Sequence, residues 1–313
     1  MGMRDCQLPN DVPIKHTHFI KHHNHCCDWD VVGCGNGGDT EFTPPPGRVT
    51  SFILYGNINL GVDMISGEIP PVIADLPYLH TIKFANLPNL TGSIPLTIKK
   101  LVNLSSITLD YTNLSGPIPE ILSQIKTLKR IELISSGFSG TIPSSLSLLP
   151  NLRELVLSQN NLSGSIPESF GSFKRRLSIL RLDTNGLSGP IPKSLGQANI
   201  EALDLSQNNF TGDVTFLFKS DKPMQQVILR QNHFKFNFSN VDLPWSLNYI
   251  DMSYNQLYGS LPRRLGQLPK LIYVSFRFNH LCGKVPKGGR LKQFKAFFNN
   301  KCLCDAPGLP VCK

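Results

Sequence analysis

Four acidic side chains, Glu132, Asp183, Asp204 and Asp251, recur along the chain at comparable places and are the residue type that could share general acid and base work. Each falls on a segment expected to form an open strand face, where nothing excludes water, so catalysis is not expected of them. His16, His18, His22, His23 and His25 beside Cys26 and Cys27 offer transition-metal ligand types, but they read as a polar segment and not as a metal site. Gly33, Gly35 and Gly38 match the spacing of a dinucleotide-binding loop. No βαβ unit surrounds them, and Thr43-Pro44-Pro45-Pro46 cannot open the helix that would receive a pyrophosphate. Nucleophile-elbow, zinc-protease and P-loop patterns are missing. The expectation is a protein that binds, without catalysis, metal or cofactor.

The elements that must present these side chains are written by a repeat. Leu152, Leu155, Leu157, Asn160, Leu162, Gly164, Ile166 and Pro167 return as Leu177, Leu180, Leu182, Asn185, Leu187, Gly189, Ile191 and Pro192, and again from Leu247 to Pro262. The third apolar residue marks ten copies: Leu54, Phe84, Leu109, Leu133, Leu157, Leu182, Leu205, Leu229, Met252 and Phe276. After a first interval of 30 residues the spacing is 23 to 25. This is the signature of a leucine-rich repeat. The expected fold is a leucine-rich-repeat solenoid, a right-handed α/β superhelix of ten coils. A parallel sheet lines its concave face, short 3-10 or irregular segments line its convex face, and disulfide-capped ends close it. The expected organisation is an N-terminal cysteine cap over 1–47, ten repeats over 48–286 and a C-terminal cysteine cap over 287–313.

Eight cysteines stand in two groups of four outside the repeats, Cys6, Cys26, Cys27 and Cys34, then Cys282, Cys302, Cys304 and Cys312. Ends of a stack need caps, and oxidised caps imply a secretory compartment; zinc sites would call for CxxC pairs that the groups do not offer. Sequons at Asn89, Asn103, Asn113, Asn161, Asn209 and Asn237 agree with secretion, although the repeat itself writes N-L-[S/T]-G. No apolar signal segment precedes Cys6, and no run approaches the length of a membrane span. A formal net charge of +9 points to an acidic partner or a polyanion such as pectin. Its cations are dispersed and no nucleic-acid motif accompanies them.

Within Leu155-Val156-Leu157, alternation sends the leucines inward and Val156 and Ser158 outward. The asparagine row Asn160, Asn185, Asn208, Asn232, Asn255 and Asn279 is expected to satisfy buried backbone groups at the following corner. Function then falls to the outward strand positions. Arg130, Glu132, Arg181, Asp183, Asp204, Gln226, Arg230, Tyr249, Asp251 and Tyr273, with Gln225 at an edge, form the candidate partner-binding face. Their mixture of charge, tyrosine and arginine suits a protein interface. A lateral basic strip of Lys126, Lys129, Arg153 and Arg175, flanked by Lys99, Lys100 and Arg176, is the candidate pectin contact.

Several segments carry a resemblance. Cys26-Cys27-Asp28-Trp29 with Val32 and Cys34, Asp75-Leu76-Pro77-Tyr78-Leu79, Leu87-Pro88-Asn89-Leu90-Thr91-Gly92, Leu281-Cys282-Gly283-Lys284-Val285-Pro286 and Asn300-Lys301-Cys302-Leu303-Cys304 with Pro310-Val311-Cys312 are similar to plant extracellular leucine-rich-repeat proteins. Among these the chain most resembles the polygalacturonase-inhibiting proteins, over about residues 26–313. The resemblance implies disulfides Cys6–Cys26, Cys27–Cys34, Cys282–Cys302 and Cys304–Cys312. It also implies a monomeric, extracellular cell-wall protein whose concave face blocks endo-polygalacturonases of fungi or insects. Trp29 then reads as a cap-core residue. Before Cys26 the chain departs from the family, which carries an amphipathic helix there. Two alternatives are a recognition co-receptor for a receptor kinase and an ice-binding relative.

Overall fold

The structure is a computed structural model that describes residues 32–34, 48–56, 66–173, 177–288, 291 and 296–312. Two compact units divide the chain, Met1–Asn161 and Leu162–Lys313. Each is a stack of leucine-rich-repeat coils.

In the first unit, the strands Val49–Tyr55, Thr81–Leu87, Ser106–Thr112, Arg130–Ile134 and Glu154–Val156 pair in parallel, each coil with the next. The short strand Val32–Cys34 adds antiparallel to Val49–Tyr55, so the first repeat does not end in an open strand edge. In the second unit, Ile179–Arg181, Ala202–Asp204, Gln226–Ile228, Tyr249–Asp251 and Tyr273–Ser275 pair in parallel in the same way. The register follows the repeat: Ile131 stands beside Leu155, and Val227 beside Ile250, with each of these side chains buried. Burying one such leucine or isoleucine contributes about 1.5–3 kcal/mol.

The motif proline explains what comes next. Pro95, Pro119, Pro143, Pro167, Pro192 and Pro262 hold extended backbone with φ between −61° and −73° immediately before a single 3-10 turn. Their carbonyls accept the first bond of that turn, as Ile98 N to Pro95 O at 3.0 Å and Leu195 N to Pro192 O at 3.0 Å show. The expected short 3-10 segments are therefore present, and the one long departure has a packing reason. Where the eighth coil lacks Gly-x-Ile-Pro, Phe236 and Phe238 are buried, and Phe238 packs on Phe276 at 5.0 Å. The motif glycine has its own reason at Gly259. Its φ is +84°, and a Cβ there would lie 2.2 Å from Asn237 Oδ1.

The asparagine row is structural, as expected. Asn160 Nδ2 donates to the carbonyls of Leu133, Leu157 and Ser158, while its Oδ1 accepts from Phe138 N. Asn208, Asn232, Asn255 and Asn279 repeat this pattern in the second unit. The pattern also occurs once more past the tenth repeat: Asn300 donates to Phe276, Phe297 and Phe298 and accepts from Leu281 N. Phe297 and Leu303 are buried there, so residues 296–304 form a further corner that covers the tenth coil.

Cys282–Cys302 and Cys304–Cys312 are bonded as the resemblance implied. Cys34 is also in a disulfide. Cys6, Cys26, Cys27, the histidine cluster and Trp29 lie outside the described residues, as does the segment before Cys26. No helix among the described residues is long and apolar enough to cross a membrane.

Candidate surface for a protein partner

The outward face of each strand array is built by alternation, and neighbouring coils decide how far each side chain is exposed. In the first unit Ser106, Arg130 and Glu154 share one register row, and Thr108, Glu132 and Val156 the next. Arg130 grips Glu154 with two bonds, Nε to Oε2 at 2.6 Å and Nη2 to Oε1 at 3.0 Å, and its Nε lies 3.7 Å from Glu132 Oε1. Thr108 Oγ1 donates to the other Glu132 oxygen at 2.9 Å. Arg130 and Glu132 are thus held in place by their neighbours before any partner arrives. Such exposed pairs contribute under about 1 kcal/mol to stability, so their effect here is chiefly orientation.

Two expectations fail in this unit. Val156 and Ser158 were expected to face outward, yet they are only 6% and 5% exposed. Their short side chains sink below longer neighbours such as Glu132, which stands beside Val156 in register. Asp110, beyond the selected residues, has a buried Oδ1 without a hydrogen bond. Burial pushes its carboxyl above the ordinary range, with Lys83 opposing and Glu132 adding to the shift.

In the second unit Ala202, Gln226, Tyr249 and Tyr273 form one row, and Arg181, Asp204, Ile228, Asp251 and Ser275 another. Tyr249 and Tyr273 stack at 4.4 Å with their planes 14° apart. Arg181 is exposed, Asp183 half-buried, and Gln225 reaches Glu201 Oε2 at 3.5 Å on the edge. Asp204 and Asp251 behave differently from the free acidic anchors that their positions imply. Asp204 Oδ1 accepts from Ser206 N and Oγ at 3.0 and 2.6 Å, and Asp251 Oδ1 accepts from Ser253 N and Oγ at the same distances. Asp251 is only 6% exposed. Burial raises the Asp204 carboxyl, while the Ser206 bonds pull it down. Burial likewise raises the Tyr249 phenol, and Arg230 opposes.

A further row escaped the alternation argument. The residue two places past the third apolar position takes a left-handed backbone, with φ between +48° and +57° for Asn86, Tyr111, Ser135 and Gln159 in the first unit, and between +54° and +57° for Thr184, Gln207, Gln231, Tyr254 and Phe278 in the second; from Gln159 onward each stands directly before a ladder asparagine. Its N–H still reaches the next coil, as Gln207 N to Arg230 O at 2.8 Å and Tyr254 N to Arg277 O at 2.8 Å show. The chain therefore turns a corner without losing the ladder, and the side chain is thrown outward. Thr184, Gln207 and Gln231 link through bonds of 2.8 and 3.1 Å, and Tyr254 stacks on Phe278 at 4.2 Å. Gln207, Gln231, Tyr254 and Phe278, with Asn209, His233 and Gln256, line an open groove of about 680 Å³. The signal was legible: a polar or aromatic residue preceding every ladder asparagine.

Of the lateral basic strip, Lys129 and Arg153 are exposed in adjacent coils, joined by Arg153 N to Lys129 O at 2.8 Å. Exposed Lys126 donates to Ser123 O. Arg175 and Arg176 lie outside the described residues. Among the sequon asparagines, Asn89, Asn113, Asn161, Asn209 and Asn237 are exposed. Asn103 is half-buried, with Nδ2 donating to Pro77 O at 2.9 Å. Among the described residues no group of three or more His, Cys, Asp and Glu side chains could hold a metal ion.

Comparison with known proteins places these features. The Leucine Rich Repeat family model matches residues 151–173 and 246–268. Polygalacturonase inhibitor 2 of Arabidopsis thaliana is 53% identical over 291 residues, which is 92% of this chain and 84% of that protein. A plant ice-binding protein of known crystal structure superposes with a TM-score of 0.84 at 40% identity, covering 92% of this chain and 89% of the other. The leucine-rich-repeat ectodomain of the receptor kinase GASSHO1/SCHENGEN3 of Arabidopsis thaliana gives a TM-score of 0.70 at 30% identity, covering 79% of this chain and 30% of that one.

Proposed function

The chain belongs to the polygalacturonase-inhibitor family of leucine-rich-repeat proteins, and on that premise we propose that it is a secreted, non-catalytic inhibitor of endo-polygalacturonases. It docks through the outward face of its strand arrays on the rim of a fungal or insect enzyme and obstructs the approach of pectin. The observation that carries this reading is the extent of the likeness, half of all positions over nearly the whole chain. The makeup of the face supports it. Arg130, Arg181, Gln225 and Arg230 are exposed, and the half-buried Tyr249 and Tyr273 are pre-stacked, so little side-chain entropy is lost when a partner covers them. The acidic Asp204 and Asp251 act in this scheme by fixing Ser206 and Ser253, not by meeting the partner's cations directly.

Disulfides at the C-terminal end and five exposed sequon asparagines support an extracellular, cell-wall location. In that setting Lys126, Lys129, Arg153 and Arg175 would retain the protein on pectin. The deciding experiment is a panel of fungal and insect endo-polygalacturonases assayed for reducing-end release with and without the protein. Slower release from at least one enzyme is expected, and unaffected rates across the panel would reject the function.

Ice binding is the second reading, favoured by the likeness to the plant ice-binding protein and by small exposed hydroxyls at like places, Thr91 and Ser115 in one unit and Ser163, Ser188 and Thr211 in the other. Thermal hysteresis of the purified protein tests it.

A further inference from the structure

Arg230 and Arg277 occupy the same place in the eighth and tenth coils, one residue past the third apolar position. Arg130 pairs with Glu154 and Arg264 with Asp242, whereas Arg230 and Arg277 form no ion pair among the described residues. Each guanidinium lies against a ring, Arg230 5.7 Å from the centre of Tyr254 and Arg277 5.8 Å from that of Phe278. The coil between them presents Ser253 at that place, 3% exposed, and in the adjoining row Ser275, also 3% exposed, stands beside Asp251. The two arginines therefore stand roughly 10 Å apart, two strand spacings, over a floor of short side chains. Tyr249 stacked on Tyr273 walls one side of this trough, and Tyr254 stacked on Phe278 the other. Asp251, the carboxylate in between, is turned into the floor and holds Ser253.

We propose that this trough receives an acidic loop of a protein partner, with an Asp or Glu carboxylate held between Arg230 and Arg277 and its neighbours covering the Tyr249–Tyr273 stack. The inference rests on the inhibitor reading and deepens it by naming the chemistry of the segment recognised. Two unpaired guanidiniums supply fork-shaped donors that match a carboxylate, and a chain of net charge +9 draws acidic partners toward it. A glycan is the poorer occupant. Sugar rings stack on open aromatic faces, whereas here Tyr249 and Tyr273, and Tyr254 and Phe278, turn faces toward each other and present edges and hydroxyls.

The test compares the native protein, R230Q/R277Q, the cation-preserving R230K/R277K, and R263Q/K270Q. The last removes two charges from exposed residues outside the trough. Melting temperatures verify that all four fold alike. Against an endo-polygalacturonase that the native protein inhibits, R230Q/R277Q should weaken affinity by about tenfold or more and flatten its salt dependence. R230K/R277K should recover part of the loss, and R263Q/K270Q should change affinity by less than about twofold. Equal affinity of R230Q/R277Q and R263Q/K270Q would overturn the trough while leaving the inhibitor reading standing. If no enzyme binds the native protein, that reading falls, and retention on immobilised poly-L-glutamate decides the trough: selective loss in R230Q/R277Q supports it, equal retention overturns it. Selective loss on polygalacturonate with poly-L-glutamate unaffected also overturns it, by assigning the trough to a glycan.

Discussion

Replacing Asn255 by Ala tests the physical basis of the fold at a single side chain. Asn255 is 8% exposed and makes four bonds. Its Oδ1 accepts from Phe234 N at 3.1 Å, and its Nδ2 donates to Leu229 O at 2.9 Å in the preceding coil and to Met252 O and Ser253 O at 3.2 Å in its own. Truncation leaves the Phe234 N–H and the Leu229 carbonyl without this partner. At about 1–3 kcal/mol for each buried group so abandoned, the loss is about 2–6 kcal/mol, a large share of a total stability of about 5–15 kcal/mol. Asn255→Asp keeps the acceptor for Phe234 but has no proton for Leu229 O, and it sets a negative charge against three carbonyls. Its loss at neutral pH should equal or exceed that of the alanine variant. The exposed neighbour Gln256→Ala serves as control and should cost about 0.5 kcal/mol or less. Equilibrium urea unfolding with disulfides intact, followed by circular dichroism and by the fluorescence of Trp245, gives all three values. Asn255→Ala lying within 1 kcal/mol of Gln256→Ala would refute the claim that the asparagine row ties coil to coil.

Two other predictions follow from the site. Burial raises the Asp204 carboxyl above its unfolded value, so the folded protein holds that proton more tightly than the unfolded chain. Ionisation of Asp204 thus subtracts stability in full above the raised pKa, and the deficit shrinks as pH falls from there to the unfolded value, below which it is gone. Asp204→Asn keeps an acceptor for Ser206 and carries no charge, so it should melt higher than the native protein at neutral pH, with the gap closing in acid; a lower neutral-pH melting point would contradict this. Among the sequons, Asn103 spends its amide on Pro77 O, so glycopeptide mass spectrometry of the folded secreted protein should find Asn103 unoccupied while the exposed asparagines carry glycans.

The coil is written within a single repeat. The spacing of Leu152, Leu155 and Leu157 set which residues enter the core, the ladder asparagines set the corner, and Pro167 and its counterparts set the extended lead into each 3-10 turn. All three are dictated within one repeat by side-chain period, amide chemistry and a fixed φ, so a single strand of text carries them. What that text did not carry is the state of the outward residues, because each is decided by a neighbour about 24 residues away. Arg130 lies on Glu154, and Glu132 takes a bond from Thr108. Val156 and Ser158 sink beneath longer side chains of the adjacent coils. Arg230 and Arg277 keep their charge unmatched because the coil between them supplies only Ser253. Periodicity gives position along a coil; exposure and pairing arise between coils, where only the stacked structure brings the partners together.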